Sequence, residues 1–174
     1  INHGLIINTD KYENIEIILD NIIDKCTSYH NFDNSKYKLT NKISKYVSNN
    51  YKINVISYLS QDIIITKYIQ NYITLFKEKI TFPDALIYCG IKPLIGNIKD
   101  IKTYFNNYNE LPKIVIINNN LIILSNSLKK CKEIEDVLKA NLFILDISEE
   151  KQYLSSDEIC FLNNAPNKLI EYRQ

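Results

Sequence analysis

A chain of 174 residues, 45% of them hydrophobic and 24% charged, is long enough to bury one good core and has ordinary globular composition. Twenty-one basic and twenty acidic residues leave a net charge of +1, which excludes both the basic excess of a nucleic-acid binder and an acidic tail. No apolar run nears the roughly 20 residues that span a bilayer, and no signal peptide is visible. Ile, Asn, Lys and Tyr dominate, with three glycines and no Met or Trp. That is the residue spectrum of an AT-rich coding sequence, so the Asn clusters carry no functional reading. The chain opens at Ile1 with no initiator Met and with residues 5–7 already strand-like, which points to a further segment upstream.

In chain order, residues 5–7 predict a strand closed by Asn8, Thr9 and Asp10. Asp10 and Glu13 have capping-box spacing, and Ile15, Ile18, Leu19, Ile22, Ile23 and Cys26 form a helical stripe, so a helix is expected over about 11–30. Residues 31–38 are polar and read as a connection. Helical spacing returns with Leu39, Ile43, Tyr46 and Val47. Residues 55–59 suggest a strand, and Ile64, Tyr68, Tyr72 and Leu75 then share one face of a further helix. Pro83 reads as a break, and residues 85–88, ending near Gly90, as a buried parallel-type strand. A polar helix between Gly96 and Pro112 would turn Ile98, Ile101 and Phe105 inward. Residues 114–117 and 121–124 predict two strands joined at Asn118, Asn119 and Asn120, where Asn tolerates positive φ. A long helix follows from about Ser127, with Cys131, Ile134, Leu138, Leu142 and Leu145 on one face. Ser155 and Glu158 form a second capping box, with Leu154 and Ile159 at staple positions, opening a short helix that Pro166 interrupts. Strands alternating with helices give an α/β class, with the sheet carried by roughly residues 51–147.

Little of the usual catalytic vocabulary is present. Three glycines cannot build G-x-G-x-x-G or a P-loop, and neither H-E-x-x-H nor G-x-S-x-G occurs. His3 and His30 are too few for an all-histidine metal site. His30 falls where the first helix ends and is read as structural. Asp84 reads as a turn residue, and Glu133, Glu135 and Asp136 as the polar face of the long helix. Lys92, Lys113, Lys129 and Lys130 could meet a phosphate or simply face solvent. Cys26, Cys89, Cys131 and Cys160 lie far apart in apolar surroundings without C-x-x-C spacing, the pattern of buried free thiols in a reducing compartment.

Read together, several segments resemble the class II aldolase/adducin family. Asn2-His3-Gly4-Leu5-Ile6-Ile7, with Asp10 and the helix after it, resembles the family's N-H-G strand and helix. Residues 82–90 and Lys92-Pro93-Leu94 resemble a longer branch with an extra region built on a P-D-x-hydrophobic-Y-x-G strand. Residues 111–116, 128–135, 154–159 and the terminal Glu171-Tyr172-Arg173 follow the same order. The resemblance implies a Rossmann-like layered sheet with flanking helices at about 33–148. A strand-helix remnant of an aldolase core would precede it at 1–32, and a helical tail would follow at 149–174.

It further implies that the intact parent is a cytoplasmic zinc-dependent lyase acting on sugars or sugar phosphates, with His3 as one metal ligand. The family's His-x-His pair, its acidic ligand and its catalytic acid are not in this sequence, and Asn163, Asn164, Ala165 and Pro166 stand where the family has a tryptophan and acids. The chain alone is therefore expected to hold no zinc and to have no catalytic residue. Its expected partners are the upstream aldolase core and further copies of itself, with neither nucleic acid nor membrane among them. The alternative is a non-catalytic binding or oligomerisation module of an adducin-like protein.

Overall fold

The computed structural model describes residues 14, 15, 17–22 and 35–164, which fall in two units, 1–34 and 35–174. In the first unit every described residue is helical, within the helix expected over 11–30. The expected strand at 5–7, His3, His30 and Pro166 lie outside the described residues.

The second unit opens with α1, Ser35–Tyr51, which buries Ile43 and Val47 completely. It begins inside the stretch read as a connection. Its first turn exposes Lys36, Tyr37 and Lys38, so no apolar period marks it. Strand β1, Ile56–Leu59, follows as expected. Asp62 then caps α2, Ile63–Asn71, its carboxylate accepting from the amides of Ile64 at 2.9 Å and Ile65 at 3.0 Å. The buried face of α2 is Ile65, Tyr68 and Ile69, so the stripe expected through Ile64 and Tyr72 is out of phase, and both of those are exposed. With Ile at 63, 64 and 65, apolar residues surround the helix start and the period alone does not select a face. A 3-10 turn at Ile73–Lys77 carries Leu75 and Phe76, so Leu75 does not continue the helix.

The largest correction falls at 85–88, where a helix replaces the expected strand. α3 spans Pro83–Cys89, with Pro83 in its first turn and Gly90 ending it. Pro83 starts the element instead of breaking one, because the first-turn N–H is unpaired in any helix and the fixed φ of proline suits that position. The short β2, Leu94–Ile95, leads to α4, Asp100–Tyr108, which buries Ile101 and Tyr104 while Ile98 and Phe105 are half-buried. The hairpin stands as expected. β3, Ile114–Ile117, turns through Asn118 and Asn119, at φ 49° and 58°, into β4, Asn120–Ser125. α5, Leu128–Ile147, is capped by Ser127, whose Oγ accepts from the Lys130 amide at 3.2 Å. All five residues of its expected inward stripe are buried. The capping box of α6, Ser156–Asn164, closes both ways: Glu158 Oε2 accepts from the Ser155 amide at 2.7 Å, and Ser155 Oγ from the Glu158 amide at 3.2 Å.

The four strands run β1-β4-β3-β2. The pairs β1–β4 and β3–β4 are antiparallel, and β2–β3 is parallel. Ile114, Ile116, Leu121 and Ile123 on one face pack against α2, α3 and α5. Val115, Ile117, Ile122 and Leu124 on the other pack against α1 and α4. Because both faces are covered, β3 is buried at every position and reads as a continuous apolar run instead of an alternation. The fold is thus mixed α/β, a four-stranded sheet between helical layers. Among the described residues no helix is long and apolar enough to cross a membrane.

Candidate functional site

At the end of the sheet where β1 and β3 begin and β4 ends, a cleft of about 870 Å³ opens. That is within the size range of small-molecule sites. A second hollow of about 500 Å³ lies at the opposite end, beside Ser60 and Asn119. The larger cleft has walls of Val55, Ile91, Phe105, Pro112 and Ile134, with Lys113 and Lys130 as its cations and Glu110 as its carboxylate. Its polar lining also includes Asn54, Asn109, Asn126, Asn163, Ser125 and Tyr108.

Backbone turns place these groups. α3 ends on Gly90 at φ 77°, and a Cβ there would stand 3.2 Å from Glu110 Oε1. That oxygen accepts the Ile91 amide at 3.2 Å, tying the loop after α3 to the end of α4. Asn109, in the left-handed region at φ 52°, ends α4 and turns the chain towards β3. Lys113, one residue before β3, donates from Nζ to the Ile87 carbonyl near the C-terminus of α3. The Lys130 side chain is 14% exposed, its ammonium 4.5 Å from the centre of the Tyr88 ring and 3.4 Å from Glu133. At the rim, Lys92 stands 5.2 Å over the Tyr108 ring, and its carbonyl accepts from Tyr104 Oη at 2.8 Å. Burial, and then the charge of Glu110, push the Tyr104 phenol well above its ordinary range, so it stays a neutral donor.

Of the four lysines read as phosphate candidates, the fold brings Lys113 and Lys130 into one cleft, sets Lys92 near its rim and leaves Lys129 exposed. Asp84 is exposed in the first turn of α3 and is not a turn residue. Glu110 and Tyr108 escaped the sequence reading because neither belongs to a motif. The one available signal was the run from Asn109 to Lys113, where polar residues and a proline separate a helix from a buried strand.

A second polar cluster lies between α5 and β1. Glu135, expected on the polar face of the long helix, is 5% exposed and so is buried. Its Oε2 accepts from Lys132 Nζ at 3.1 Å and from Tyr58 Oη at 3.3 Å, while Oε1 has no partner. Lys132 also bonds to the Tyr58 hydroxyl and sits 4.3 Å over its ring. The bond to Tyr58, and then that to Glu135, raise the Lys132 pKa. Nearby, Lys139 pairs with Asp62 at 2.7 Å. Burial pulls the Asp62 carboxyl upward, but the Lys139 bond and the capping amides of Ile65 and Ile64 outweigh it and hold it below its usual range. These charges are spent joining α5 to β1 and α2.

Among the described residues no three His, Cys, Asp or Glu side chains come together in a way that could hold a metal ion, and His3 lies outside them. Cys89 and Cys131 are buried as expected, whereas Cys160 is exposed on α6, and Cys26 lies outside the described residues. Burial pushes the Cys89 thiol up to about 12, with Lys113 opposing, and the Cys131 thiol to about 11, with Glu135 adding to the effect. Neither is a nucleophile at neutral pH. Comparison of the chain with protein-family models, with curated proteins and with solved structures gave no match.

Proposed function

We propose that residues 35–164 form a small-molecule binding module, without chemistry of its own, in a cytoplasmic class II aldolase/adducin-type polypeptide. The observation that carries the binding role is the cleft, an apolar-walled space of about 870 Å³ with a few convergent polar groups. What supports the family reading is that the resembling segments at 111–116 and 128–135 meet there, contributing Pro112, Lys113, Lys130 and Ile134 to its lining. The helix at 83–89, where the resemblance implies a strand, speaks against it. The finer Rossmann-like reading shares the layering of helices on both sheet faces, but only one of the three strand pairs is parallel.

In this proposal the parent is a homo-oligomeric zinc-dependent lyase for sugars or sugar phosphates. Residues 1–32 close its aldolase-type core, and His3 supplies one imidazole to the metal. The remaining ligands belong to that core in this reading, because the family's His-x-His pair and acidic ligand are not in this sequence. An assembly role is the second reading. It is favoured by the exposed apolar residues Phe143 and Ile147, one turn apart on α5.

The test is the zinc content, after dialysis, of the intact parent and of its His3→Ala variant. Stoichiometric zinc that falls sharply in the variant is expected. Zinc-free protein in both cases would remove the lyase and leave the binding or assembly module alone.

A further inference from the structure

We infer that this chain stacks head to tail on further copies of itself, the lysine row of α1 in one copy meeting the acidic end of α5 in the next. The inference rests on the assembly reading and adds the two surfaces that meet and their polarity.

Its first support is how charge is distributed behind the net value of +1. Residues 34–61 hold Lys36, Lys38, Lys42, Lys45 and Lys52 and no carboxylate. All five lysines are exposed, and among the described residues none stands within ion-pair distance of a carboxylate. Helical spacing sets Lys38, Lys42 and Lys45 in one row, opposite the buried Ile43 and Val47. Like charges three and four residues apart repel, so this row gains from a carboxylate surface laid along it. The second support is the far end of α5. Asp146, Glu149 and Glu150 are exposed there, no basic residue occupies the last turn, and the negative end of the helix dipole adds to them. Tyr68 donates to Asp146 at 3.0 Å without removing its charge, and Lys151 is turned to Glu78 at 3.2 Å. Among the described residues no cation pairs with these three carboxylates. Exposed charge pairs hold little by themselves, and the exposed Phe143 and Ile147 beside them supply apolar contact. The third support is topology. α1 packs on one face of the sheet and α5 on the other, so the two charged surfaces cannot meet within one molecule. A further copy of the chain supplies the complement of each. Because they lie on opposite sides, a two-fold pair cannot join both at once, and the contact runs head to tail.

The test is sedimentation velocity of the full 174-residue chain over a range of concentrations, at low salt and at about 0.5 M salt, where the Debye length falls to roughly 4 Å. The expected result is a mean mass that climbs past the dimer at low salt and returns to the monomer at high salt. The triple variant Lys38→Gln, Lys42→Gln, Lys45→Gln should weaken association roughly tenfold, and so should Asp146→Asn, Glu149→Gln, Glu150→Gln. All six sites are exposed, and Asp146→Asn keeps an acceptor for Tyr68, so both variants should fold. Mixed in equal amounts, the two should form a one-to-one dimer that grows no further, because each retains one working surface. Undiminished association in both variants, or a mixture as weak as its components, would overturn these surfaces and leave self-assembly standing. A wild-type chain that is monomeric at every concentration would overturn both. If that monomer cosediments with vesicles containing phosphatidylserine, the lysine row belongs to an anionic membrane surface instead.

Discussion

Two apolar runs of similar length, 85–89 and 114–117, end up in different secondary structures although both are buried. Ala85, Leu86, Ile87 and Cys89 form the core side of α3, whereas Ile114, Val115, Ile116 and Ile117 are the most enclosed strand of the sheet. Burial therefore does not choose between them. Local stiffness and punctuation do. All four strand residues are β-branched, but only Ile87 is in the helical run, where Ala and Leu are good helix formers. Pro83 and Asp84 supply a helix start and Gly90 a helix end, while Asn118 and Asn119 supply the positive φ of a two-residue hairpin turn.

The largest effect that sharpens this contrast comes from truncating one buried isoleucine in each run. Ile116→Ala should cost about 4 kcal/mol and Ile87→Ala about 3 kcal/mol, because both lose core contacts but alanine returns helix propensity only in α3. Urea denaturation measures both, and a larger loss at Ile87 would mean that packing alone sets the balance. Next comes Gly90→Ala, expected to cost about 2 kcal/mol, since φ 77° with ψ −174° is a glycine region and the new methyl would press on Glu110 Oε1. An unchanged thermal midpoint would show that Gly90 does not end the helix by conformational need. The smallest is at the hairpin. Asn119→Ala should cost about 1 kcal/mol at φ 58°, while Asn119→Gly should lie within a few tenths of wild type. If the two variants behaved alike, the turn would not be what registers β3 against β4.

Where a sequence signal was both periodic and bounded, it was enough. The stripe from Cys131 to Leu145, the Ser155–Glu158 box and the hairpin at Asn118 and Asn119 all stand as the sequence suggested. Where apolar residues surround an element, the period loses its phase, and this misassigned the face of α2 at Ile64 and Tyr72. At 85–88 the run was short enough for either structure, and the flanking Pro83 and Gly90, which decide it, were read as a break and an end of strand. The cleft was legible only as separate lysines. Lys113 and Lys130 meet because β3 and α5 are brought to one end of the sheet, a tertiary fact that no local spacing contains. Glu135 was missed for the opposite reason: a carboxylate on a helix is expected in water, yet Tyr58 and Lys132 give this one a reason to be inside.

The burial of two thiols and the exposure of a third have a kinetic consequence. Cys89 and Cys131 lie in the layer between the sheet and α5, so an alkylating reagent reaches them only when that layer separates. Cys160, on the outer side of α6, is open to the reagent in the closed molecule. For these three thiols, one labelling time course on the native protein therefore contains two clocks. The fast one reports intrinsic thiol reactivity, and the slow one reports how often the interior opens.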